Sequence, residues 1–99
     1  MKKTRLQILE QTYELIKDSN NWIRGFDALD RFGYIISPDH PWASQWCLAG
    51  AINKVAENNY ASEGLFPNEL LRTLNDASNH RDVLNFLQMH INSEKRKSQ

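Results

Sequence analysis

Hydrophobic and polar positions alternate with a helical period over most of this chain, and one stretch departs from that rhythm. From Trp42 to Ala56 the apolar side chains do not keep to one stripe. On a helical wheel Ala43, Cys47, Gly50 and Ala51 share one face, Leu48, Ile52 and Val55 a second, and Trp42, Trp46 and Ala49 a third. A helix that is apolar almost all round is a buried one. The pattern therefore predicts a central helix over about 41–58, opened by Pro41, whose φ is already set, and stopped by Asn58-Asn59.

Other elements wrap this one. Leu6, Leu9, Tyr13 and Ile16, widened by Ile8 and Leu15, form the buried face of a first helix from about Arg5 to Asp18, with Thr4 as its cap. Residues 22–37 are the least helical part. Gly25 and Gly33 punctuate them, Asp30 to Gly33 reads as a turn, and Tyr34-Ile35-Ile36 is a short β-prone run. A short β-hairpin or ordered loop leaning on the helices is expected there. A third helix starts at about Pro67 and buries Leu70, Leu71 and Leu74. Asp76, Ser78 or Asn79 caps a last helix to about Ser93, with Val83, Leu84, Leu87 and Ile91 inward and Phe86 flanking. The fold class is mainly α: about four helices around a buried central one, with a short β element.

Composition narrows the class. Ninety-nine residues with 40% hydrophobic side chains suit a single compact domain over 1–99. One cysteine permits no internal disulfide, no apolar run approaches a membrane span, and the N-terminus lacks a signal peptide's continuous apolar segment. Cytoplasm is the expected compartment. The net charge of zero conceals an asymmetry: Lys2, Lys3 and Arg5 sit at one end and Lys95, Arg96 and Lys97 at the other, around an acidic body. Nucleic-acid binding needs clustered cations, so an acidic body with basic, fraying tips (about 1–4 and 94–99) makes it an unfavoured reading except indirectly through a partner.

Candidate chemistry is sparse. Cys47 could join His80 or His90 in a cysteine-dependent enzyme. Reactive thiols sit at helix N-termini, however, and a helix opening at Pro41 places Cys47 almost two turns inside, as a buried small hydrophobe with a raised pKa. His40, His80 and His90 show no zinc spacing. Asp27, Asp30 and Asp39 lack the EF-hand pattern and are explained by turn hydrogen bonding, so no metal and no cofactor is expected. Three tryptophans are many for this length. Trp46 reads as core, whereas Trp22 and Trp42, with Arg24, Phe26, Asp27 and Asp30, could form an aromatic and charged patch that grips a protein partner.

The residues Trp22, Gly25, Asp30 and Gly33, then Trp46, Cys47, Gly50 and Ala51, then Asn75, Asp76 and Val83 make a W-x-x-G, W-C-x-x-G-A and N-D pattern. It resembles an uncharacterised family of small bacterial and phage proteins, over about Leu6 to Leu87. The resemblance implies a compact, mostly helical domain and brings no established activity. The chain departs from it at Leu74, where an aromatic residue is common. The leading expectation is a non-catalytic interaction or regulatory protein, in its extreme form a phage or mobile-element inhibitor of a host protein such as a defence nuclease. Self-association is compatible with it. A cysteine enzyme comes second, and a nucleic-acid binder acting through the basic tips third.

Overall fold

The structure is a computed structural model that describes residues 3–57 and 66–97. Helix α1 spans Arg5–Ile16, and Thr4 caps it through a reciprocal box: Gln7 N donates to Thr4 Oγ1 at 3.1 Å, and Thr4 N donates to Gln7 Oε1 at 2.8 Å. The face it buries is Ile8, Leu9, Thr12 and Ile16, so the inward stripe is rotated from the expected one and includes a threonine. Leu6, Tyr13 and Leu15 pack only partly, and the Thr12 hydroxyl is buried without a hydrogen-bond partner among the described residues.

A 3-10 turn at Ser19–Asn21, capped by Asp18, leads to strand β1, Ala28–Asp30, which pairs antiparallel with β2, Ala43–Trp46. Ala28 faces Trp46 and Leu29 faces Gln45, while a bulge shifts Asp30 to face Ala43. The structure is thus mainly α with a small antiparallel β element, as the hydrophobic pattern predicts. The partner strand lies elsewhere than expected. Tyr34-Ile35-Ile36 folds back over β1 through an isolated bridge at Leu29 and Ile35 and through backbone bonds that include Asp30 N to Tyr34 O at 2.9 Å and Ile36 N to Ala28 O at 3.2 Å.

The true partner comes from the stretch expected to begin the central helix. That helix, α2, is Leu48–Val55 and not 41–58; the expected stop at Asn58-Asn59 lies outside the described residues. Pro41 does not open it, because residues 37–43 form tight turns (His40 N to Ser37 O and Ala43 N to His40 O, both 3.0 Å) that deliver Ala43–Trp46 to the edge of β1. Pairing with β1 satisfies backbone groups that a helix would have to satisfy alone. The cap is Cys47, whose Sγ accepts from Gly50 N at 3.3 Å. The other part of the expectation stands: Leu48, Ala49, Gly50, Ala51, Ile52 and Val55 are all buried in α2, which packs against α1.

Helix α3, Asn68–Ala77, follows Pro67, which is its cap and not its first residue. It buries Leu71 and Asn75, while Leu70 is half exposed. Helix α4, His80–Lys97, buries Val83, Leu87 and Ile91. Asn79 accepts from Asp82 N at 2.8 Å through its side chain and from Val83 N at 3.1 Å through its carbonyl, which settles the choice of cap. α4 lies along α1 and stays helical through Lys97, past the expected end at Ser93. Ion pairs Arg5–Glu94 (3.5 Å) and Lys95–Glu10 (3.8 Å) run between the two helices. The favourable helix dipole at that basic end adds to them.

Candidate functional site

Two places on the molecule combine unusual side chains, one internal and one on the surface. The internal one is built around Asn75, wholly buried in α3. Its Oδ1 accepts from Trp22 Nε1 at 2.6 Å and from Leu48 N at 3.0 Å, and its Nδ2 donates to Ile23 O at 3.0 Å. One amide therefore joins α3, the segment entering β1 and the first turn of α2. Beside it Gly25 N donates to Asp76 Oδ1 at 3.1 Å, and the Arg24 guanidinium is held on Ser78 O. Gly50 lets the Asp27 carbonyl lie against α2: a Cβ there would fall 1.9 Å from Asp27 O. The distinctive residues Trp22, Gly25, Cys47, Gly50, Asn75 and Asp76 thus meet at one junction.

Cys47 belongs to that junction. It is at a helix N-terminus after all, contrary to the expected two-turn depth, yet it is only 3% exposed. Burial, reinforced by the Asp27 carboxylate, pushes its thiol up to about 11, against the pull of the Gly50 amide. Its S–H points to Asp27 Oδ1 at 3.7 Å. Arg72 clamps the same carboxylate bidentately, Nε to Oδ1 at 3.0 Å and Nη2 to Oδ2 at 2.8 Å, and this holds Asp27 below its ordinary value despite partial burial. Gly25, Phe26, Asp27, Cys47, Arg72 and Asp76 border an open hollow of about 300 Å³. At neutral pH this thiol holds its proton, and the carboxylate beside it is bound by a guanidinium.

Neither candidate imidazole serves the thiol. His80 Nε2 bonds to Ile16 O at 2.6 Å and its ring leans on Trp22 at 5.3 Å. His90 packs edge-on to Phe66 and Phe86, at 4.8 and 4.6 Å, and burial lowers its pKa. Among the described residues no group of histidines, cysteines and carboxylates could hold a metal ion, and no helix is long and apolar enough to cross a membrane.

The surface place is apolar. Phe32, Tyr34, Ile35 and Trp42 are each between 71% and 73% exposed. Phe32 and Trp42 stand on the two sides of an open groove of about 640 Å³, with Arg31, Pro41 and Ala43 beside them. Their positions follow from local turns. Asp30 Oδ1 accepts from Phe32 N at 2.9 Å and Tyr34 N at 3.0 Å, and Gly33 takes a φ of 87°, so this tight turn throws its large side chains outward. On the other side Trp42 N donates to His40 Nδ1 at 3.0 Å, and the His40 ring meets the Trp42 ring edge-on at 5.3 Å.

The six residues expected to share one partner-binding patch are placed in three pairs: the Arg24 guanidinium lies 5.4 Å from the Trp22 ring, Phe26 and Asp27 border the hollow, and Asp30 and Trp42 line the groove. Trp22 is half-buried and bonded inward, Arg24 and Asp27 are tied to α3 and the segment after it, and Phe26 borders the hollow near Cys47. Asp30 shapes the turn, and only Trp42 stands fully in the apolar patch. Trp46 is buried, as expected, and donates to Pro38 O at 2.9 Å. Phe32, Tyr34 and Ile35 were missed as surface residues, although a turn closed by Asp30 and Gly33 places Phe32 at a loop tip, where side chains are exposed. Arg72 carries no motif that could have marked it.

What these features define is a small, mainly helical domain with a polar junction locked inside and its surplus hydrophobic surface outside. The chain belongs to DUF6197, a family of unknown function, whose model matches residues 1–96 and bears out the family resemblance. No curated protein and no solved structure matches it.

Proposed function

We propose that the protein is a non-catalytic interaction protein, and that its contact surface is centred on the groove between Phe32 and Trp42, with Tyr34 and Ile35 exposed on the adjoining segment. The observation that carries this reading is the exposure of these four large apolar side chains on well-formed turns. Exposed apolar patches of several hundred Å² mark contact sites on otherwise polar surfaces, and aromatic residues dominate the centres of interfaces. The finer form, a phage or mobile-element inhibitor seated in a basic groove of a host enzyme, calls for an acidic contact face. The groove here is lined by Asp30 and Arg31 together, one charge of each sign, so the contact we propose is apolar first. A single buried thiol suits a reducing cytoplasm.

A cysteine enzyme draws no support from a thiol raised to about 11 with no imidazole bonded to it. Nucleic-acid binding draws little from tips whose Lys3, Arg5, Lys95 and Lys97 are drawn to Glu57, Glu94 and Glu10. The test is capture from bacterial lysate on immobilised protein, wild type against a Phe32→Ser/Trp42→Ser variant. A protein retained by the first and lost from the second supports the reading; nothing above background on the wild type counts against it.

A further inference from the structure

We infer that His40 is a pH-sensitive catch for the contact surface: its neutral imidazole holds Trp42 across the groove from Phe32, and protonation releases it. The catch is read from hydrogen-bond geometry, while its regulatory meaning rests on the reading above that the groove is a contact surface. The sequence around it is His40-Pro41-Trp42. Pro41 fixes φ at the middle position, and the chain turns back so that the amide two residues on meets the histidine side chain. Trp42 N donates to His40 Nδ1 at 3.0 Å, the arrangement that Asn and Asp make in an Asx-turn. The same ring meets the indole edge-on, at 5.3 Å and 64° between planes. Trp42 is otherwise 72% exposed, so one half-buried imidazole backs this tryptophan at both its backbone and its ring.

A backbone amide always brings its own hydrogen, so Nδ1 must accept. It can do so only with a lone pair, which puts the proton of the neutral ring on Nε2. Imidazolium carries an N–H at both positions. Two donors then face each other and the ring has to turn away, taking the edge contact with it. An imidazolium drawn to the indole face must likewise leave the orientation in which Nδ1 meets the amide. Histidine is the side chain whose charge changes between about pH 5 and 8. The charged groups around it are Asp39 in the same turn, Lys54 of α2, which acts on Asp39, and Arg31 beside Phe32 across the groove. The Ser37 hydroxyl and a backbone amide, with smaller help from His40 and Lys54, hold Asp39 below its ordinary value. It therefore stays an anion over that range and favours the imidazolium. The rest of the turn does not need the ring: His40 N to Ser37 O, Ala43 N to His40 O and Trp46 Nε1 to Pro38 O involve no imidazole atom. Acid thus frees Trp42 without undoing the strand that follows it.

Proton–nitrogen NMR of the full chain from about pH 8 to about pH 5 tests this, with Trp22 and Trp46 as internal controls. In the wild type the Trp42 amide should move upfield with the same midpoint as the His40 ring. His40→Asn offers an acceptor that does not titrate, and its Trp42 amide should stay downfield at every pH. His40→Ala offers no acceptor, and its Trp42 amide should lie upfield at every pH. A wild-type Trp42 amide that does not follow His40 overturns the inference. So does an Asn variant that titrates like the wild type, or an Ala variant that matches the wild type at the alkaline end. The lysate capture, repeated at both ends of the range, tests the regulatory meaning. Wild-type retention should fall roughly fivefold in acid, the weight of one hydrogen bond, and stay constant in His40→Asn. Retention indifferent to pH overturns the regulation while the contact reading survives. If nothing is retained at either end, the contact reading falls, and the NMR titration still supports or overturns the catch.

Discussion

Asn75 shows how much one side chain can organise. Its carboxamide accepts from the Trp22 indole and the Leu48 amide and donates to the Ile23 carbonyl. In Asn75→Ala those two donors lose their acceptor in a place closed to solvent. An unsatisfied buried donor costs about 1–3 kcal/mol, and a small cavity adds to it. The expected loss is about 3 kcal/mol, read as a shift of the urea midpoint. The neighbouring thiol makes a second prediction. The folded value of Cys47, about 11, lies above the ordinary 9.0, so the folded chain holds this proton more tightly than the unfolded one. The stabilisation linked to it is complete below the unfolded value and is lost as pH rises through about 11. Reactivity follows the same sign: iodoacetamide should label folded Cys47 far more slowly than the denatured chain at neutral pH, with the rate climbing through the alkaline range. Labelling at neutral pH as fast as in denaturant would mean that the thiol is neither buried nor protonated.

At the level of elements, α2 is too short to be stable in water by itself, and its surroundings hold it. It begins where the backbone of Asp27 meets it, with Cys47 N donating to Asp27 O at 3.2 Å and the Gly50 α-carbon against the same carbonyl. Gly50→Ala should therefore reverse the usual rule. In an exposed helix that change gains about 1 kcal/mol. Here the methyl group strikes a backbone atom that cannot swing aside, and the expected result is a loss of about 2 kcal/mol or more, measured by thermal or urea unfolding. This junction also explains what the sequence could and could not disclose. The buried character of 48–55 was legible because Leu48, Ala49, Ala51, Ile52 and Val55 leave no polar face. Its start was not: Ala43 to Trp46 reads equally well as helix or strand by periodicity, and only the tertiary partner β1 decides. Cysteine is also absent from the usual caps. α1 was legible to within two residues because Thr4 and Gln7 spell out a capping box, yet its inward stripe turned enough to bury Thr12.

Across the whole molecule, the radius of gyration of 12.6 Å is that of a compact domain, for which about 13 Å is usual at 100 residues. Its three tryptophans report from distinct depths. Trp46 is buried with its indole on Pro38 O, Trp22 is half-buried against Asn75 and His80, and Trp42 stands in the open. Acrylamide quenching should accordingly resolve an accessible, red-shifted component that disappears in Trp42→Phe and persists in Trp46→Phe. The surface site was the less legible half of this protein. Composition announced the tryptophans, but which of them faces water depends on where the chain turns, and the turns at 30–34 and 37–43 are fixed by side chain to backbone bonds from Asp30 and His40 that no periodicity reveals.

Among the described residues the Thr12 hydroxyl has no hydrogen-bond partner, and this has a consequence for how stable the fold could be made. Thr12→Val keeps the shape, deletes the unpaired group, and should gain about 1 kcal/mol, or roughly 4–8 °C in melting temperature for a domain of this size. Calorimetry of the purified variant checks it. The buried hydroxyl thus marks a place where one substitution can add stability without any new contact having to form.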